Sequence, residues 1–378
     1  MTWTANSKQK SWIIFTRCAV RSIGYKFEFY IFILSGGKMK LIDLRSDTVT
    51  QPSTKMRKVM AEAEVGDDVY REDPSVNRLE KIAAEKLNKE SAIFVSSGTQ
   101  SNLLALLSHC QRGDEYIVGQ QAHTYKYECG GAAVFGSIQP QPLPLNDDGS
   151  LDLDMAADYV KPNNIHFAKT KLLCLENTYW GNAIPMDYLP KAKQFADFHH
   201  LAFHLDGARV FNAAVKFNVP VTDITNYFDT VSICLSKNLG APVGSILLGS
   251  KTFIEQARQW RKMLGGGMRQ AGILAAAGII ALEENVNHLA EDHEKASQLA
   301  AGLQAIDEIK VDDMTQQTNM CFIRIAEEDA EALPAFMKEK NILSYPGTHI
   351  RFALHLDIDL EDIGYVVNVI KQYYQQKK

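Results

Sequence analysis

The chain has 378 residues, of which 46% are hydrophobic and 22% are charged. This composition is typical of a globular protein with a large core and two domains, and it excludes a disordered, collagen-like or coiled-coil chain. Acidic residues outnumber basic ones, 45 to 40, so no basic excess indicates nucleic acid or an anionic membrane as a partner. No apolar stretch approaches the ~20 residues that span a bilayer, which excludes a transmembrane protein.

The first 38 residues differ in composition from the rest of the chain. They contain six basic residues and one acid, Glu28, and are rich in aromatic residues. Their longest apolar run, 29–34, is shorter than the ~7–15 residues of a signal-peptide core. A transit peptide is one interpretation of this basic segment. The preferred interpretation is that residues 1–38 lie outside the fold and that the working chain begins at Met39.

From Met39 onward, short apolar runs alternate with helical patterns. Helices are predicted after the turn-rich segment 46–53, from Asp73-Pro74 onward, and over 99–110, 270–306, 330–340 and 360–375. Strands are predicted for SAIFV (91–95), EYIVG (115–119), KLLCLEN (171–177), LAFHLD (201–206), TVSICLSK (230–237), VGSILLG (243–249), MCFIRI (320–325) and HIRFALH (349–355). The alternation predicts an α/β fold with a mainly parallel sheet in a large domain, 39–285, followed by a smaller α+β domain, 286–378.

The cysteines indicate the redox environment. The six cysteines form no Cys-x-x-Cys pair and no histidine cluster has zinc spacing, so no metal site is expected. Several cysteines lie in apolar runs, where a free thiol behaves as a small buried hydrophobic side chain. This usage predicts a reduced, cytoplasmic protein.

Polar residues at the ends of predicted strands suit pyridoxal phosphate (PLP). This cofactor needs a lysine to bind it covalently, an acid opposite its ring nitrogen and an anion site for its phosphate. Gly-x-Gly-x-x-Gly after a strand and Gly-x4-Gly-Lys-Ser/Thr are both absent, which disfavours dinucleotides and nucleoside triphosphates. Lys237 follows a strand and precedes a turn containing glycine, and Asp206 ends an earlier strand. Taken singly, Lys237 also fits a solvated loop lysine, and Asp206 fits a turn or helix N-cap aspartate.

Four further features are compatible with such a site, each with an ordinary alternative. The strand-to-helix turn at Ser97-Gly98-Thr99 offers free N–H groups to a phosphate, although such turns are common. Arg209 suits a bidentate contact with a substrate carboxylate or a surface ion pair. His123 suits stacking on a pyridine ring or a hydrogen-bonded loop position. The run 265–269, three glycines followed by Met and Arg269, is a helix-initiating turn or an anion clamp.

Together these segments resemble the low-specificity threonine aldolases, which are PLP-dependent lyases with the fold of aspartate aminotransferase (fold type I). The resemblance covers the chain from Met39 to its end. It rests on LRSDTVT (44–50), VGDDVY (65–70), SGTQSN (97–102), HLDGARVFN (204–212), SICLSKNLGAPVGS (232–245) and WRKMLGGGMRQAG (260–272). One departure lies at 176–181, ENTYWG, where many members of the family have a histidine after the threonine.

The resemblance implies roles around the cofactor. Lys237 would bind PLP covalently, Asp206 would keep its ring nitrogen protonated, and His123 would stack on the ring. The phosphate would be held by Gly98 and Thr99, helped by Arg269 from a neighbouring subunit.

The resemblance also implies roles around the substrate. Ser46, Arg209 and Arg351 would bind the substrate carboxylate, and His166 would lie near the substrate hydroxyl as a base or an orienting group. Glu128 and Tyr70 would be further neighbours of the site.

The implied reaction is cleavage of L-threonine or L-allo-threonine, a small-molecule amino-acid substrate, into glycine and acetaldehyde. The implied assembly is a homotetramer, a dimer of dimers with shared active sites. Two alternatives stay open at the level of sequence. One is another fold-type-I PLP enzyme, an aminotransferase or a β-eliminating lyase, and the other is a catalytically silent binding protein with the same fold.

Overall fold

The structure is a computed structural model that describes residues 40–315 and 317–378. The expectation for residues 1–38 falls outside the described residues. The strands are β1 (Ile42–Asp43), β2 (Ser91–Val95), β3 (Asp114–Gly119), β4 (Gln139–Leu143), β5 (Lys169–Glu176), β6 (Ala202–Asp206), β7 (Thr230–Cys234), β8 (Ser245–Gly249), β9 (Lys310–Val311), β10 (Met320–Arg324), β11 (Ile342–Leu343) and β12 (His349–Ala353). The α-helices are α1 (Thr54–Ala61), α2 (Pro74–Lys86), α3 (Gly98–His109), α4 (His123–Lys126), α5 (Gly131–Gly136), α6 (Leu153–Tyr159), α7 (Tyr188–Phe198), α8 (Val210–Phe217), α9 (Thr222–Thr225), α10 (Lys251–Met263), α11 (Gly272–Glu283), α12 (Leu289–Gln304), α13 (Ala332–Glu339) and α14 (Leu360–Lys377).

Seven strands form the central sheet, in the order β2-β8-β7-β6-β5-β3-β4. Strand β8 runs antiparallel to both of its neighbours, and the other strands run in one direction. Every position of β7 and β8 is buried, as expected for strands covered by helices on both faces of a sheet. The predicted α/β fold with a mainly parallel sheet is therefore confirmed.

The edge strand β4 escaped prediction because its sequence, QPQPL, contains Pro140 and Pro142. Proline has no N–H group to donate to a neighbouring strand, so it is tolerated mainly at sheet edges. Strand β4 pairs only with β3, which leaves its other side unpaired within the sheet.

Local side chains set the start of α2 and the break between α11 and α12. Asp73 caps α2 by accepting a hydrogen bond from Val76 N (3.0 Å), with Pro74 at the first helical position. The helix predicted over 270–306 is divided into α11 and α12 by a short 3-10 segment, Asn285–His288. Two asparagines in that segment favour turns over a continuous helix.

The buried side chains form two main cores. The larger core lies around the central sheet. The second core combines α12, α13 and α14 with the antiparallel sheet β12-β10-β9. This second core includes Ile42 and Leu44, because β1 pairs in parallel with β11. The first described strand thus packs with the C-terminal part of the chain, which the boundary predicted at 285–286 does not capture.

Within residues 40–315 and 317–378, no helix combines the length and the apolar content needed to cross a membrane.

Candidate active site

Four chain segments deliver polar side chains to one edge of the central sheet. Strands β5 and β6 end in Glu176 and Asp206, which are paired in the sheet register. Lys237 follows β7 on the other side of β6, and His123 begins α4 shortly after β3. Because these strands are parallel, their carboxyl ends meet at the same edge, where ligands bind in open α/β sheets.

Asp206 is buried and is held by two donors. Asn102 Nδ2 donates to its Oδ2 (2.8 Å), and the backbone N of Ala208 donates to its Oδ1 (3.1 Å). The same amide nitrogen of Asn102 donates to Glu128 Oε1 (2.8 Å), which also contacts Nδ1 of His123 (2.9 Å). The hydrogen bond to Glu128 raises the pKa of His123 despite the opposing effect of burial, and the charge of Asp206 adds to the rise.

Glu176 completes this acidic group. Its Oε2 accepts a hydrogen bond from the backbone N of His123 (2.7 Å), which fixes the start of α4 at the site. Burial raises the pKa of Glu176, and the neighbouring charge of Asp206 raises it further. The site therefore contains two neighbouring acids. The raised pKa of Glu176 favours its protonated form, and Asp206 accepts two hydrogen bonds.

Lys237 is half-buried in the turn that follows β7. Its positive charge acts on Asp47, Glu176 and His123 and lowers the pKa of each. The next residue, Asn238, is buried, and its amide donates to Asp292 Oδ2 (2.8 Å) and to the carbonyl of Leu354 (3.0 Å). These contacts fix the backbone that carries Lys237 at the edge of the sheet.

Arg209 lies at the site but is paired within the chain. Its Nε and Nη2 donate to the two carboxylate oxygens of Asp47, each at 2.6 Å. Burial alone would raise the pKa of Asp47, but the charge and hydrogen bonds of Arg209 outweigh it and lower that pKa to about 2. Asp47 thus occupies the Nε–Nη2 side of the guanidinium, and the expected bidentate contact of Arg209 with a substrate carboxylate stays a prediction for the remaining N–H groups.

Arg351 has a buried donor that no group of the described chain satisfies. Its Nη2 donates to the carbonyl of Arg45 (2.9 Å), while its Nε is buried without a hydrogen-bond partner in the described part of the chain. Burial lowers the pKa of Arg351, and the nearby charge of Arg209 lowers it further. An unpaired buried donor on a cation is costly unless an anion satisfies it. Arg351 thus suits a substrate carboxylate, and this role stays a prediction.

Ser46 is the N-cap of a 3-10 turn, Asp47–Val49. Its Oγ accepts hydrogen bonds from Thr48 N (3.2 Å) and Thr48 Oγ1 (2.9 Å). The capping role places Ser46 beside Asp47, and its predicted contact with substrate stays a prediction.

Helix α3 begins at Gly98, directly after β2. Its N-cap is Ser97, whose Oγ accepts from Gln100 N (3.1 Å). The first N–H groups of the helix, including those of Gly98 and Thr99, have no partner inside the helix and suit a phosphate. A Cβ atom on Gly98 would lie 2.8 Å from Sγ of Cys234, so only glycine fits where the helix approaches β7.

Arg269 is half-exposed and pairs with an aspartate of its own chain. Its Nη1 lies 2.9 Å from Asp67 Oδ2, and its carbonyl accepts from the backbone N of Asp68. Its predicted contact with the phosphate of a neighbouring subunit stays a prediction.

His166 is not brought to the site of its own chain. It lies exposed in the loop before β5, next to Ile165, which is 96% exposed. Glu176 is at the opposite end of β5, and an eight-residue strand is roughly 23 Å long. The described chain does not bring His166 to Glu176, and its place near the substrate hydroxyl stays a prediction. Tyr70, with 70% exposure, is likewise a surface residue of the described chain.

Three residues of the site were missed by sequence reasoning: Asp47, Asn102 and Glu176. Each lies in a segment singled out for another residue, and Glu176 also carries the signal of a polar residue ending an apolar strand.

His123, Glu128 and Asp206 also form a group that could hold a metal ion, with ligand atoms within 4.8 Å of one another. The lysine and the anion-binding turn at the same edge favour an organic phosphate cofactor instead.

The fold and the site define an α/β enzyme of fold type I. Solved structures share this fold. One is Leishmania major threonine aldolase, with a TM-score of 0.76 and 21% identity over 88% of this chain and 99% of that one. Another is described as SPT with PLP, with a TM-score of 0.70 and 16% identity over 89% and 88% of the two chains.

Sequence comparison identifies the family. The family model for beta-eliminating lyases matches residues 43–326, and the chain belongs to this family. It is 54% identical over 326 residues to the low specificity L-threonine aldolase of Escherichia coli K12, covering 86% of this chain and 97% of the relative. The resemblance seen in the sequence is thus confirmed.

Proposed function

We propose that the protein is a PLP-dependent L-threonine aldolase that cleaves L-threonine and L-allo-threonine into glycine and acetaldehyde. The observation that carries the proposal is the convergence of Lys237, Asp206 and the N-terminus of α3 at one edge of the sheet. The identity to the Escherichia coli aldolase supports this reaction over transamination or β-elimination.

The residues present fit PLP. The start of α3 offers N–H groups to a phosphate, and the lack of a Cβ on Gly98 lets the helix approach β7 closely. Asp206, buried and held by two donors, suits a protonated ring nitrogen. Lys237 would hold the cofactor covalently, and His123 would stack on its ring. PLP, when bound, accepts the electron pair released as a bond to the substrate Cα breaks.

The other residues bind and orient the substrate. Nε of Arg351 would take the substrate carboxylate, and this contact fixes which bond at Cα is aligned for cleavage. The Cα–Cβ bond then breaks, the β-hydroxyl loses its proton to a base, acetaldehyde leaves, and Cα takes up a proton to give glycine. His123, with Nδ1 held by Glu128, presents Nε2 for this proton exchange.

The proposal also includes a homotetrameric assembly and a cytoplasmic location. A homotetramer of two dimers, with Arg269 completing the neighbouring site, agrees with the glycine-rich segment that precedes this arginine. A cytoplasmic location agrees with the cysteines: the five in the described residues are free and four of them are buried.

A product assay tests the reaction. The purified protein, supplied with PLP, should show a visible absorbance band and convert L-threonine and L-allo-threonine into acetaldehyde and glycine in equal amounts. Lys237→Ala should abolish the turnover and the absorbance band of covalently bound PLP. Lys216→Ala, in α8, should change neither. Release of a keto acid or pyruvate in place of acetaldehyde would overturn the proposal.

A further inference from the structure

A continuous chain of hydrogen bonds runs from the site to the start of β7 and the end of α3. It starts at Asp206 and Glu128, which both accept from Nδ2 of Asn102 at 2.8 Å. Oδ1 of Asn102 contacts Nε2 of His204 (3.3 Å), whose Nδ1 contacts Oγ1 of Thr230 (2.9 Å). The same hydroxyl contacts Nε2 of His109 (2.8 Å), at the end of α3.

The direction of every bond in this chain is fixed by the two carboxylates. Oδ2 of Asp206 and Oε1 of Glu128 both accept from one Asn102 atom, which is the NH₂ group, so the oxygen of Asn102 faces His204. Nε2 of His204 must therefore carry the proton. Burial lowers the pKa of His204 to about 3 and that of His109 to about 4, so each ring is neutral and has a single N–H group. Nδ1 of His204 then accepts from the Thr230 hydroxyl, which in turn accepts from His109.

The alternative arrangement is penalised at both ends. If the Asn102 amide were rotated by 180°, its oxygen would face two carboxylates and its NH₂ group would face the N–H of His204. Each link in the chain thus opposes this rotation. Asn102 and His204 are both buried, so water does not compete for these bonds.

We propose that Asn102 is a positioning residue, held in one orientation by His204 and Thr230, that keeps Asp206 and Glu128 side by side as acceptors facing the cofactor and His123. Two neighbouring carboxylates repel each other unless a donor lies between them, and Asn102 supplies that donor. The inference rests on the proposed function, because it assigns the purpose of the arrangement to PLP binding.

Removal of the Asn102 side chain, which lies between Asp206 and Glu128, gives the first test. Asn102→Ala should weaken binding of PLP to the apoenzyme by ~10-fold or more, the effect of losing hydrogen bonds to charged groups. The dissociation constant is measured by fluorescence titration with PLP. Ser101→Ala is the matched control, because Ser101 is the buried neighbour in α3 and pairs with Ser232 instead (2.7 Å). It should bind PLP as the wild type does.

Substitution at a distance gives the decisive test. Thr230 begins β7, and among the described residues its hydroxyl contacts His204 and His109. Thr230→Val removes the hydroxyl at similar volume and should weaken PLP binding roughly 3- to 10-fold, whereas Thr230→Ser keeps the hydroxyl and should restore it. The thermal stability of each apoenzyme is measured in parallel, so a loss of fold is recognised.

The outcomes distinguish failure of the proposed function from failure of the positioning role. If the wild type does not bind PLP, the proposed function fails. If the wild type binds PLP and the folded Thr230→Val and Thr230→Ser variants bind it equally well, the positioning role is overturned while the proposed function stands.

Discussion

At the scale of single residues, the pair of Asp47 and Arg209 is the most tightly specified contact of the site. Asp47 is fully buried and the side chain of Arg209 is 12% exposed, and the carboxylate takes two hydrogen bonds of 2.6 Å from the guanidinium. Removing one partner of such a pair costs more than the pair contributes, because the other charge stays buried without compensation. The pair therefore holds the segment after β1 against the start of α8.

Asp47→Asn tests this interpretation through stability. At pH 7 the variant should lose about 3–5 kcal/mol of unfolding free energy. The pKa of Asp47 is about 2 in the folded chain, below the ordinary value of 3.8. The ionised form therefore stabilises the fold above about pH 4, and this contribution of roughly 2 kcal/mol is lost as the pH falls towards 2. The difference between variant and wild type should thus shrink on acidification, as measured by urea unfolding at pH 7 and at about pH 3.

Asp43→Asn is the matched control for this experiment. Asp43 forms a similar pair with Arg45 (2.6 Å), but the side chain of Arg45 is 40% exposed. Its loss should cost less than about 1 kcal/mol at pH 7. Equal losses in the two variants would contradict the special role of the buried pair.

At the scale of elements, the close approach of α3 to β7 determines the anion-binding turn. Gly98→Ala would place a Cβ atom 2.8 Å from Cys234 Sγ, so the N-terminus of α3 must shift. We expect PLP binding to weaken by ~10-fold, since the phosphate contacts depend on that position. The double variant Gly98→Ala with Cys234→Ala removes the opposing sulfur and should recover most of the affinity, measured by equilibrium dialysis with PLP. Failure of the double variant to recover would show that the helix start is sensitive to another cause.

At the scale of the whole molecule, the proposed sharing of sites between subunits is tested by mixing. Lys237→Ala and Arg269→Ala chains should each be poorly active alone. If Arg269 completes a neighbour's phosphate site, hybrids of the two contain one site in which both residues are intact. Activity should therefore reappear after subunit exchange, as measured by acetaldehyde release from verified hybrids. Hybrids without any gain would indicate that Arg269 acts within its own chain, where it pairs with Asp67.

Much of the architecture followed from local patterns. The strands β2, β3, β5, β6, β7 and β8 are rich in apolar residues because both faces of the sheet are covered, and this signal needs no knowledge of their neighbours. Strand β4 lacked the signal because two prolines occupy it. The positions of Lys237 and Asp206 at strand ends could also be predicted from the sequence. Parallel strands bring their carboxyl ends to one edge, so the two side chains were expected at the same site.

The sequence by itself determined the fold class, the family and the strand-end residues of the site, because these depend on short segments and on their order along the chain. Only the tertiary structure decided which charges pair. It assigned Arg209 to Asp47, left Nε of Arg351 unpaired, and placed His166 at the far end of β5. These outcomes depend on distances between residues far apart in sequence, and the energy of a charge or hydrogen bond in a buried site depends on those distances and on the exclusion of water.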